Sequence, residues 1–340
     1  MIKIGVIGYG YWGPNLVRNF SQMDGVEVTV VCDLSPERLD LARKRHPGIR
    51  TTTNAMEVIA HMGVDAVAIA TPVASHYDLA IRALTHKKHV LVEKPLCNDA
   101  VKARELADLA KQNGVTLLVD HTFLYTGAIQ KMKELIDTGA MGSLYYYDSV
   151  RVNLGLFQSD VNVLWDLAVH DLSIMDHLIA EKPIRVKAVG IQHFEDQPVD
   201  MAYLTLGFRS RMIAHVHVNW LSPVKIRRTL LGGSQKMVLY DDLEPSEKIR
   251  LYDKGVEEVP PSDAESVKKM LQYRRTGDMV APKLNVTEAL DTEARHFIRC
   301  IRGLEKPLSD GESGVRVVKI LEAATVSLEH ENEWIALNLG

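Results

Sequence analysis

Residues 1–33 read MIKIGVIGYGYWGPNLVRNFSQMDGVEVTVVCD, and this stretch decides the fold of the first part of the chain. A short apolar strand leads into a G-x-G-x-x-G pattern formed by Gly8, Gly10 and Gly13. A helix-like run and a second apolar strand follow, and Asp33 lies 20 residues after the third glycine. Strand, glycines, helix, strand and terminal acid in this order are typical of a dinucleotide-binding βαβ unit.

Each position of this pattern has a separate physical role. Gly8 permits the tight turn, Gly10 lets the backbone approach a pyrophosphate, and Gly13 allows the helix and strand to pack closely. The helix N-terminus attracts the phosphate charge. Asp33 can accept hydrogen bonds from the adenosine ribose and would repel a 2′-phosphate, so the sequence predicts NAD rather than NADP. The alternative interpretation is a glycine-rich turn in an unrelated α/β protein.

The composition is that of a globular protein with room for about two domains: 340 residues, 46% hydrophobic and 25% charged. A net charge of −4 gives no basic surplus for nucleic acid or an anionic membrane surface. No apolar run approaches the ~18 residues of a membrane span. The three cysteines are far apart and lack C-x-x-C spacing, which favours a reducing cytoplasm over a disulfide framework or a thiolate metal site.

Strand and helix patterns alternate through the first 122 residues. The strand candidates are continuously apolar, as expected when helices cover both faces of a parallel sheet. We therefore predict a Rossmann-type, doubly wound α/β domain over 1–122. Its predicted strands are 2–7, 26–32, 65–70, 88–93 and 115–119, and its predicted helices are 14–23, 36–46, 54–61, 75–85 and 99–113.

The pattern then changes, and 123–340 is predicted to form a second, α+β domain. Consecutive strands with alternating side chains favour a large open sheet, mainly antiparallel, with one apolar face. Residues 241–285 are richer in charge, proline and glycine and are predicted to be irregular loop or subunit-contact material. The predicted helices are 127–138, 166–180, 287–303 and 311–330, and the predicted strands are 142–153, 184–193, 200–208, 211–220, 225–232 and 236–240.

Two further strand ends of the first domain carry polar residues, and ligands of open parallel sheets bind beyond the carboxyl ends of the strands. Thr71 and Pro72 follow one strand, with His76 just beyond. Glu93-Lys94-Pro95 follows the next strand. A lysine in that position can stabilise the negative charge that develops on a substrate oxygen. The alternative for this lysine is a surface residue beside a glutamate.

The segment WDLAVHD places Asp166 and His170 four residues apart, on one predicted helix face. An imidazole suits proton transfer near neutral pH, and a nearby carboxylate can orient it. The alternative is a capped helix start with a solvated histidine. A metal site is not predicted, because Asp166, His170 and His177 lack a recognised zinc-ligand spacing. His215 and His217 are interpreted as the polar face of a strand rather than as ligands.

Together these residues resemble the Gfo/Idh/MocA oxidoreductases over essentially the whole chain. The resemblance rests on the GYGYWG loop, the segment from Ala70 to His76, EKP at 93–95 and the Asp166/His170 pair. It implies catalytic roles for Lys94 and His170, with Asp166 completing the catalytic set and lining the substrate site. The residues that it places at the dinucleotide are Gly8, Gly10, Tyr11, Trp12, Gly13, Asp33, Thr71, Pro72, His76, Glu93 and Lys94.

Longer motifs resemble the nucleotide-sugar members of that family. They are GYGYWGPNLVRNF, HTFLYTGAIQKMKELI, RVNLGLFQSDVNVLWDLAVHDLSI and RRTGDMVAPKL. They are most similar to UDP-N-acetylglucosamine or UDP-N-acetylglucosaminuronate 3-dehydrogenases, and next to dTDP-3-keto-sugar reductases. The chain departs from many members in reading VNVLWDLAVH where they carry a Gly-Gly pair upstream of the Asp/His motif.

The resemblance implies oxidation of the 3-hydroxyl of a nucleotide sugar with NAD. It also implies a homodimer or homotetramer formed through the sheet of the second domain. The predicted substrate contacts are Tyr125, Arg151 and Asn153, beside Asp166 and His170. Lys225, Arg227 and Arg228 are cations that either meet a diphosphate or are plain surface.

Four alternative functions stay open at the level of sequence. Within the same class they are reduction of an NDP-3-keto sugar and oxidation of inositol or another polyol. A different enzyme class is an NAD-dependent glycosidase, in which transient oxidation enables elimination. A non-enzyme class is a dinucleotide-binding regulator, against which the presence of both Lys94 and His170 argues.

Overall fold

The computed structural model describes residues 1–155, 161–254, 256–258, 271–273 and 277–339. The chain divides into two compact units. The first comprises Met1–Thr126 and Val286–Glu322, and the second comprises Gly127–Asn285 and Ala323–Gly340. Among the described residues, no helix is both long enough and apolar enough to cross a membrane.

Six parallel strands form the sheet of the first unit: β1 (Ile2–Ile7), β2 (Val26–Cys32), β3 (Arg50–Thr52), β4 (Ala66–Ile69), β5 (His89–Glu93) and β6 (Leu117–Asp120). They lie in the order β3-β2-β1-β4-β5-β6, which is that of a doubly wound dinucleotide-binding sheet. The helices between them are α1 (Gly13–Ser21), α2 (Pro36–Arg45), α3 (Ala55–Ile59), α4 (His76–Thr85) and α5 (Ala100–Asn113). The predicted Rossmann fold is confirmed. The sequence pattern missed β3, a three-residue edge strand without a buried side chain.

Local sequence signals set the ends of these helices. The Ser35 hydroxyl accepts a hydrogen bond from the Arg38 amide at 3.4 Å and caps α2. The Asp99 carboxylate accepts one from the Lys102 amide at 2.9 Å and caps α5. Gly114 ends α5 in the left-handed conformation, with a φ of 63°. The helix boundaries predicted from these residues are therefore confirmed.

A nine-stranded sheet forms the second unit, which also contains α6 (Gly127–Asp137) and α7 (Val169–Leu178). The strands that follow β6 are β7 (Leu144–Leu154), β8 (Arg185–Ile191), β9 (Met201–Gly207), β10 (Ile213–Asn219), β11 (Leu221–Gly233), β12 (Met237–Asp241), β13 (Ile249–Tyr252), β14 (Val256–Glu258), β15 (Leu271–Tyr273), β16 (Met279–Val280) and β17 (Ile335–Ala336). The order in the large sheet is β16-β13-β12-β11-β7-β10-β9-β8-β17, and β14 pairs with β15. The β7–β10 pair is parallel and the other neighbours are antiparallel, so the predicted mainly antiparallel sheet is confirmed.

The two faces of this sheet differ, as the alternation of side chains predicts. Ala188, Leu204 and Val216 lie opposite one another in register and are fully buried. The next residues along these strands form the opposite face, where Val189 and Tyr203 are exposed. One face therefore forms the core of the unit, and the other is open.

The prediction for residues 241–285 is wrong in part. β13 and β16 lie within this segment and extend the large sheet at one edge. Sequence alone did not indicate them, because strands of two to four residues in a charged stretch give too short an alternation to be recognised without their pairing partners. Residues 255, 259–270 and 274–276 of the segment lie outside the described residues, as do 156–160. The quoted motifs at 151–174 and 274–284 are therefore described only in part.

The closing helices are α8 (Ala289–Ile301) and α9 (Gly311–Glu329). The sequence analysis assigns all of residues 123–340 to the second domain. In the structure, residues 286–322 pack with the first unit instead. The apolar face of α8 joins the core around α1, where the rings of Phe297 and Phe20 lie 6.3 Å apart. Glu288 pairs with Arg18 at 2.6 Å beside this contact. Helical periodicity reveals that such a face exists but not which partner buries it.

Candidate functional site

The glycine loop between β1 and α1 has the backbone geometry that the fingerprint requires. Gly8 has a φ of +96°, and a Cβ on it would lie 2.3 Å from the carbonyl oxygen of Ala70. A Cβ on Gly13 would lie 2.1 Å from the carbonyl oxygen of Gly8. Both positions exclude any side chain, which holds the loop tightly against the ends of β1 and β4.

Gly10 differs, because the space above it is open. A Cβ there would meet the Arg38 guanidinium at 3.6 Å and no atom closer. α1 begins beside it with Trp12 as N-cap and without a side-chain cap. Tyr11 is 82% exposed, and its ring lies edge-on to that of Trp12 at 5.4 Å. An open cradle at an uncapped helix N-terminus fits a dinucleotide pyrophosphate.

Asp33 at the end of β2 is fixed by two backbone amides. Its Oδ2 accepts a hydrogen bond from the Tyr9 N–H at 2.6 Å, and its Oδ1 accepts one from the Ser35 N–H at 2.8 Å. The carboxylate is buried, so its negative charge has a defined position beside the glycine loop. That position suits the predicted role as acceptor for the ribose hydroxyls of NAD.

His76 at the start of α4 links two strand ends. Its Nδ1 lies 2.9 Å from the carbonyl oxygen of Pro95, and its Nε2 lies 2.8 Å from that of Thr71. The pKa of His76 is lowered, because burial outweighs the two carbonyl contacts, which favour the protonated ring. The imidazole therefore couples the Thr71-Pro72 turn after β4 to the EKP segment after β5.

Lys94 follows the last residue of β5 and is half-buried. Its neighbour Glu93 is buried and pairs in register with Asp120, the last residue of β6. Two adjacent strand ends thus place one lysine and two acidic residues at the carboxyl edge of the sheet. This is the edge at which ligands of doubly wound sheets bind.

Asp120 and Glu293 form a buried acidic pair that sequence reasoning missed. The Thr122 hydroxyl donates a hydrogen bond to Asp120. The pKa of Asp120 is raised, mainly by burial. The Thr122 hydroxyl and the positive charge of Lys94 act in the opposite direction but are outweighed. Burial and then the Asp120 carboxylate raise the pKa of Glu293 well above its usual range. Asp120 could have been noticed as a polar residue ending an apolar strand, whereas Glu293 arrives from α8.

The prediction that Tyr125 contacts the substrate is not supported by its position. The side chain is buried in the first unit, and its hydroxyl donates to Ser309 Oγ at 3.3 Å. Ser309 in turn donates to the carbonyl oxygen of Val119 at 2.6 Å. Tyr125 is therefore a core residue whose polar end is satisfied internally.

In the second unit, Asp166 and His170 lie at a junction of two kinds of helix. Leu164–Ala168 forms a π-helical turn, and α7 begins at Val169. The regular helix predicted for 166–180 is therefore wrong at its start. Asn162, rather than Asp166, caps the turn, because its Oδ1 accepts hydrogen bonds from the amides of Leu164 and Trp165 at 3.0 and 3.3 Å. Single π-helical turns often occur at functional sites.

Trp220 orients the Asp166 carboxylate. The indole Nε1–H of Trp220, which lies between β10 and β11, donates to Asp166 Oδ2 at 2.9 Å. Trp220 is fully buried, so the donor has a fixed position, while Asp166 and His170 are half-buried. A carboxylate and an imidazole that are both partly accessible can accept hydrogen bonds and protons from a bound hydroxyl.

Arg151 was predicted to contact substrate, but the structure gives it an internal partner. Its side chain is 4% exposed, and its Nε–H donates to Asp171 Oδ2 at 2.6 Å. The Tyr147 hydroxyl donates to the backbone carbonyl of Asp171 at 3.0 Å. Arg151 thus anchors the residue that follows His170. Asn153, two residues further along β7 on the same face, is half-buried and stays a predicted substrate contact.

The three cations of β11 do not form one cluster. Arg227 points to the face on which Arg151 lies, because the two residues are directly opposite in register. Lys225 lies in the irregular part of β11, before the pairing with β7 resumes at Ile226. Arg228 points to the open face and pairs with Asp241 at 2.7 Å. Arg227 is half-buried and contacts Asp242 at 3.4 Å.

In the described part of the chain, no three His, Cys, Asp or Glu residues are grouped to hold a metal ion.

Two family models match the chain. Residues 2–121 match an oxidoreductase family with an NAD-binding Rossmann fold, and residues 129–238 match the GFO/IDH/MocA C-terminal domain. The chain belongs to the Gfo/Idh/MocA oxidoreductase family. The resemblance inferred from the motifs and the prediction of NAD as cofactor are confirmed.

Relatives of this Gfo/Idh/MocA protein differ in reaction. The UDP-N-acetylglucosamine 3-dehydrogenase of Acidithiobacillus ferrooxidans is 25% identical over 96% of this chain and 97% of its own length. The myo-inositol 2-dehydrogenase of Thermotoga maritima is 22% identical over 97% of each chain. The 2,7-anhydro-N-acetylneuraminate hydratase of Escherichia coli is 26% identical over 74% of this chain and 70% of its own. A crystal structure of the Acidithiobacillus enzyme has the same fold, with a TM-score of 0.82, 23% identity and 98% and 99% coverage.

Proposed function

We propose that this protein is an NAD-dependent dehydrogenase that oxidises the 3-hydroxyl of a UDP-linked N-acetylhexosamine, or of its uronate, to the 3-keto sugar. The observation that carries the proposal is the similarity, over 332 residues, to a UDP-N-acetylglucosamine 3-dehydrogenase. The Rossmann unit with its open cradle at Gly10 supports the NAD-dependent half of the reaction. Bound NAD supplies the hydride acceptor.

The catalytic roles proposed for this chain follow from the chemistry of three side chains. His170 accepts the proton of the 3-hydroxyl, because an imidazole exchanges protons near neutral pH. The Lys94 ammonium stabilises the negative charge that develops on that oxygen. Asp166, held by the Trp220 indole, accepts a hydrogen bond from the sugar and keeps it in one orientation.

Lys225 and Arg227 support a substrate that carries a diphosphate. Arg227 lies on the same face of β11 as the Arg151–Asp171 pair that anchors the residue after His170, and Lys225 lies two residues before it in the same strand. Arg227 is half-buried and lies 3.4 Å from Asp242, and a guanidinium binds a phosphate oxygen through charge-assisted hydrogen bonds. A free sugar offers no charge to these groups, whereas a UDP-sugar does, and that remote binding energy can position the reacting carbon.

A substrate panel tests the proposal. UDP-N-acetylglucosamine, its uronate, UDP-glucose, dTDP-glucose, glucose and myo-inositol are compared side by side with NAD by the absorbance of NADH. We expect kcat/KM for one of the two N-acetylated UDP-sugars to exceed that for any free sugar or inositol by more than about tenfold, or ~1.4 kcal/mol. A better turnover of myo-inositol or glucose contradicts the nucleotide-sugar assignment but leaves the dehydrogenase assignment intact.

Inositol oxidation is the second candidate, because an inositol dehydrogenase also aligns with nearly the whole chain, over 97% of it. Two variants separate the candidates without relying on turnover alone. Arg227→Gln should raise KM for a UDP-sugar and leave KM for inositol unchanged, because only the UDP-sugar carries phosphates. Arg228→Gln, on the opposite face of the same strand, is the matched control and should change neither value.

We also propose that copies of this chain pair through the open face of the large sheet. Val189, Tyr203 and Ile213 are between 38% and 49% exposed on that face. The Tyr203 ring stacks on His217 at 4.3 Å and widens the apolar surface. Contiguous exposed apolar surface of this kind is typical of subunit interfaces. A dimer or a tetramer would cover it.

Light scattering after gel filtration tests the pairing. Ile213→Glu should reduce the mass of the assembly, whereas Met62→Glu should not, since Met62 is 94% exposed and belongs to the first unit and not to this sheet. A monomeric wild-type chain, or an unchanged mass for Ile213→Glu, contradicts the pairing.

We further propose a cytoplasmic location, because Cys32, Cys97 and Cys300 are all buried and form no disulfide. Cell fractionation tests that location.

A further inference from the structure

Asp120 and Glu293 bring two carboxyl groups together in the interior of the first unit. Asp120 ends β6, Glu293 lies on the buried face of α8, and the two residues are 1% and 0% exposed. Their carboxyl groups hydrogen-bond each other. Two ionised carboxylates are acceptors only, so a hydrogen bond between them requires that one of them keeps its proton.

The neighbouring hydroxyls do not replace that proton. Thr122 lies near both carboxyls but has one hydroxyl proton, which it donates to Asp120 Oδ1. Tyr125 is also near Glu293 and donates to Ser309 instead. Within the described ranges, no N–H or O–H group has hydrogen-bond geometry to Asp120 Oδ2 or to either carboxyl oxygen of Glu293. The acidic pair therefore has to supply its own donor.

Lys94 brings a positive charge to this pair from the end of the neighbouring strand. Burial raises the pKa of Asp120, and the Lys94 ammonium acts against that shift. The pKa of Glu293 is raised by burial, then by Asp120, and further by Glu93. The attraction between Lys94 and Asp120 is mutual, so the carboxylate also draws the ammonium to one place. A lysine has a flexible four-carbon stem, which a fixed countercharge can orient.

The number of negative charges on the pair matters for the chemistry of Lys94. If both carboxyls were ionised, two negative charges would face one ammonium and cancel the charge that it offers to a substrate oxygen. If both were neutral, the pair would not hold the ammonium. A single proton on the pair leaves a single negative charge, which avoids both outcomes.

We propose that Asp120 and Glu293 share one proton, and that the single negative charge left on the pair positions the Lys94 ammonium. Both are positioning residues, which act through Lys94 and not on the substrate. The positioning role rests on the catalytic role proposed above for Lys94, whereas the shared proton does not depend on it.

Infrared difference spectroscopy of the full-length protein tests the shared proton without any turnover. The C=O stretch of a protonated carboxyl is distinct from the bands of a carboxylate, and exposed acidic side chains are ionised at pH 8. We expect a protonated-carboxyl band in the wild type at pH 8 and its loss in Glu293→Gln. Glu312→Gln is the control and should keep the band, because Glu312 is paired with Arg104. A wild type without this band, or an unchanged band in Glu293→Gln, overturns the shared proton.

The kinetics of two isosteric variants test the positioning role. Glu293→Gln leaves the negative charge on Asp120, whereas Asp120→Asn leaves a neutral pair, because a buried carboxyl without a countercharge stays protonated. We expect kcat of Asp120→Asn to lie at least about tenfold below that of Glu293→Gln, since small displacements of a catalytic group slow a reaction to this extent. The dissociation constant of NADH should be the same in both. If Asp120→Asn does not fold by circular dichroism, Asp120→Ser takes its place.

Equal kcat values in Glu293→Gln and Asp120→Asn overturn the positioning role, because a purely structural pair would respond alike to both changes. Lys94→Ala distinguishes this failure from a failure of the proposed function. If Lys94→Ala is inactive while the two variants are equal, the positioning role alone is wrong. If Lys94→Ala keeps the wild-type kcat, the catalytic role of Lys94 is wrong, and the positioning role is wrong with it.

Discussion

Arg151 Nε lies 2.6 Å from Asp171 Oδ2, and both side chains are almost completely removed from solvent. The pair joins β7 to the first turn of α7, directly after His170. A second contact between Arg151 Nη2 and Asp171 Oδ1 at 3.4 Å makes the arrangement two-pronged. The residue proposed as the proton acceptor is thus attached to the sheet through its neighbour.

Removing one partner of this pair should lower the free energy of unfolding substantially. Arg151→Met leaves a buried carboxylate without its countercharge, and such losses cost about 3–5 kcal/mol of the free energy of unfolding. Arg151→Met combined with Asp171→Leu should recover part of the loss. Urea denaturation measures each value. Arg228→Met is the control, since the exposed Arg228–Asp241 pair should contribute less than about 1 kcal/mol. Equal losses in Arg151→Met and Arg228→Met would contradict the interpretation.

Lys94→Ala and His170→Ala should each lower kcat by a factor on the order of 10²–10⁴ and leave the dissociation constant of NAD nearly unchanged. Steady-state kinetics with the best substrate of the panel and fluorescence titration with NADH measure the two quantities. His86→Ala, at the exposed end of α4, is the control for histidine loss. Near wild-type turnover in the His170 variant would show that His170 is not the proton acceptor.

Trp220→Phe deletes the hydrogen bond to Asp166 and keeps an aromatic ring in the core. A hydrogen bond to a charged group contributes about 1.5–3 kcal/mol, so kcat/KM for the sugar should fall roughly tenfold or more, with NAD binding unchanged. Trp165→Phe is a matched control, because the Trp165 indole donates to Thr325 at 3.1 Å and not to Asp166. The role given to Trp220 fails if both variants lose activity equally.

Glu293 should make stability depend on pH. Its pKa in the folded protein is raised, mainly by burial, so the folded state keeps a proton that the unfolded state releases above about pH 4.5. The free energy of unfolding should therefore fall as the pH rises above that value, by up to ~1.4 kcal/mol per pH unit for one proton. Glu293→Gln should flatten this dependence between pH 5 and 8 in urea denaturation.

Glu312→Gln is the control for that experiment. Arg104 lowers the pKa of Glu312, so the folded state holds no extra proton on this carboxylate as the pH rises. Its replacement should leave the pH dependence of the wild type in place. A wild-type slope that persists in Glu293→Gln would show that Glu293 does not hold the extra proton.

Local patterns in the sequence predicted the fold and the polar residues at the strand ends of the first unit. The glycine spacing, the acid at Asp33 and the polar strand ends at Thr71 and Glu93 are encoded within a few residues of one another, and the structure places each at the carboxyl edge of the first sheet. Such signals are readable because short-range backbone geometry dictates them.

The rest depends on contacts between distant residues. Glu293 reaches Asp120 from a helix more than 150 residues further along the chain, and no periodicity of α8 indicates that partner. Alternation in β7 places Arg151 on one face but cannot show that Asp171 neutralises it. The π-helical turn before α7 likewise has no compositional signature. Partner identity is a tertiary property that single-sequence patterns do not contain.

Transfer of deuterium tests the central claim most directly. UDP-N-acetylglucosamine carrying deuterium at C3 is incubated with NAD and the protein, and the reduced cofactor is analysed by mass spectrometry beside a sample labelled at C4. The account predicts that the C3 label appears in the nicotinamide ring, that the C4 label stays in the sugar, and that His170→Ala slows the transfer. Reduced cofactor without label from C3, or reduction by myo-inositol while the UDP-sugar is inert, would contradict it.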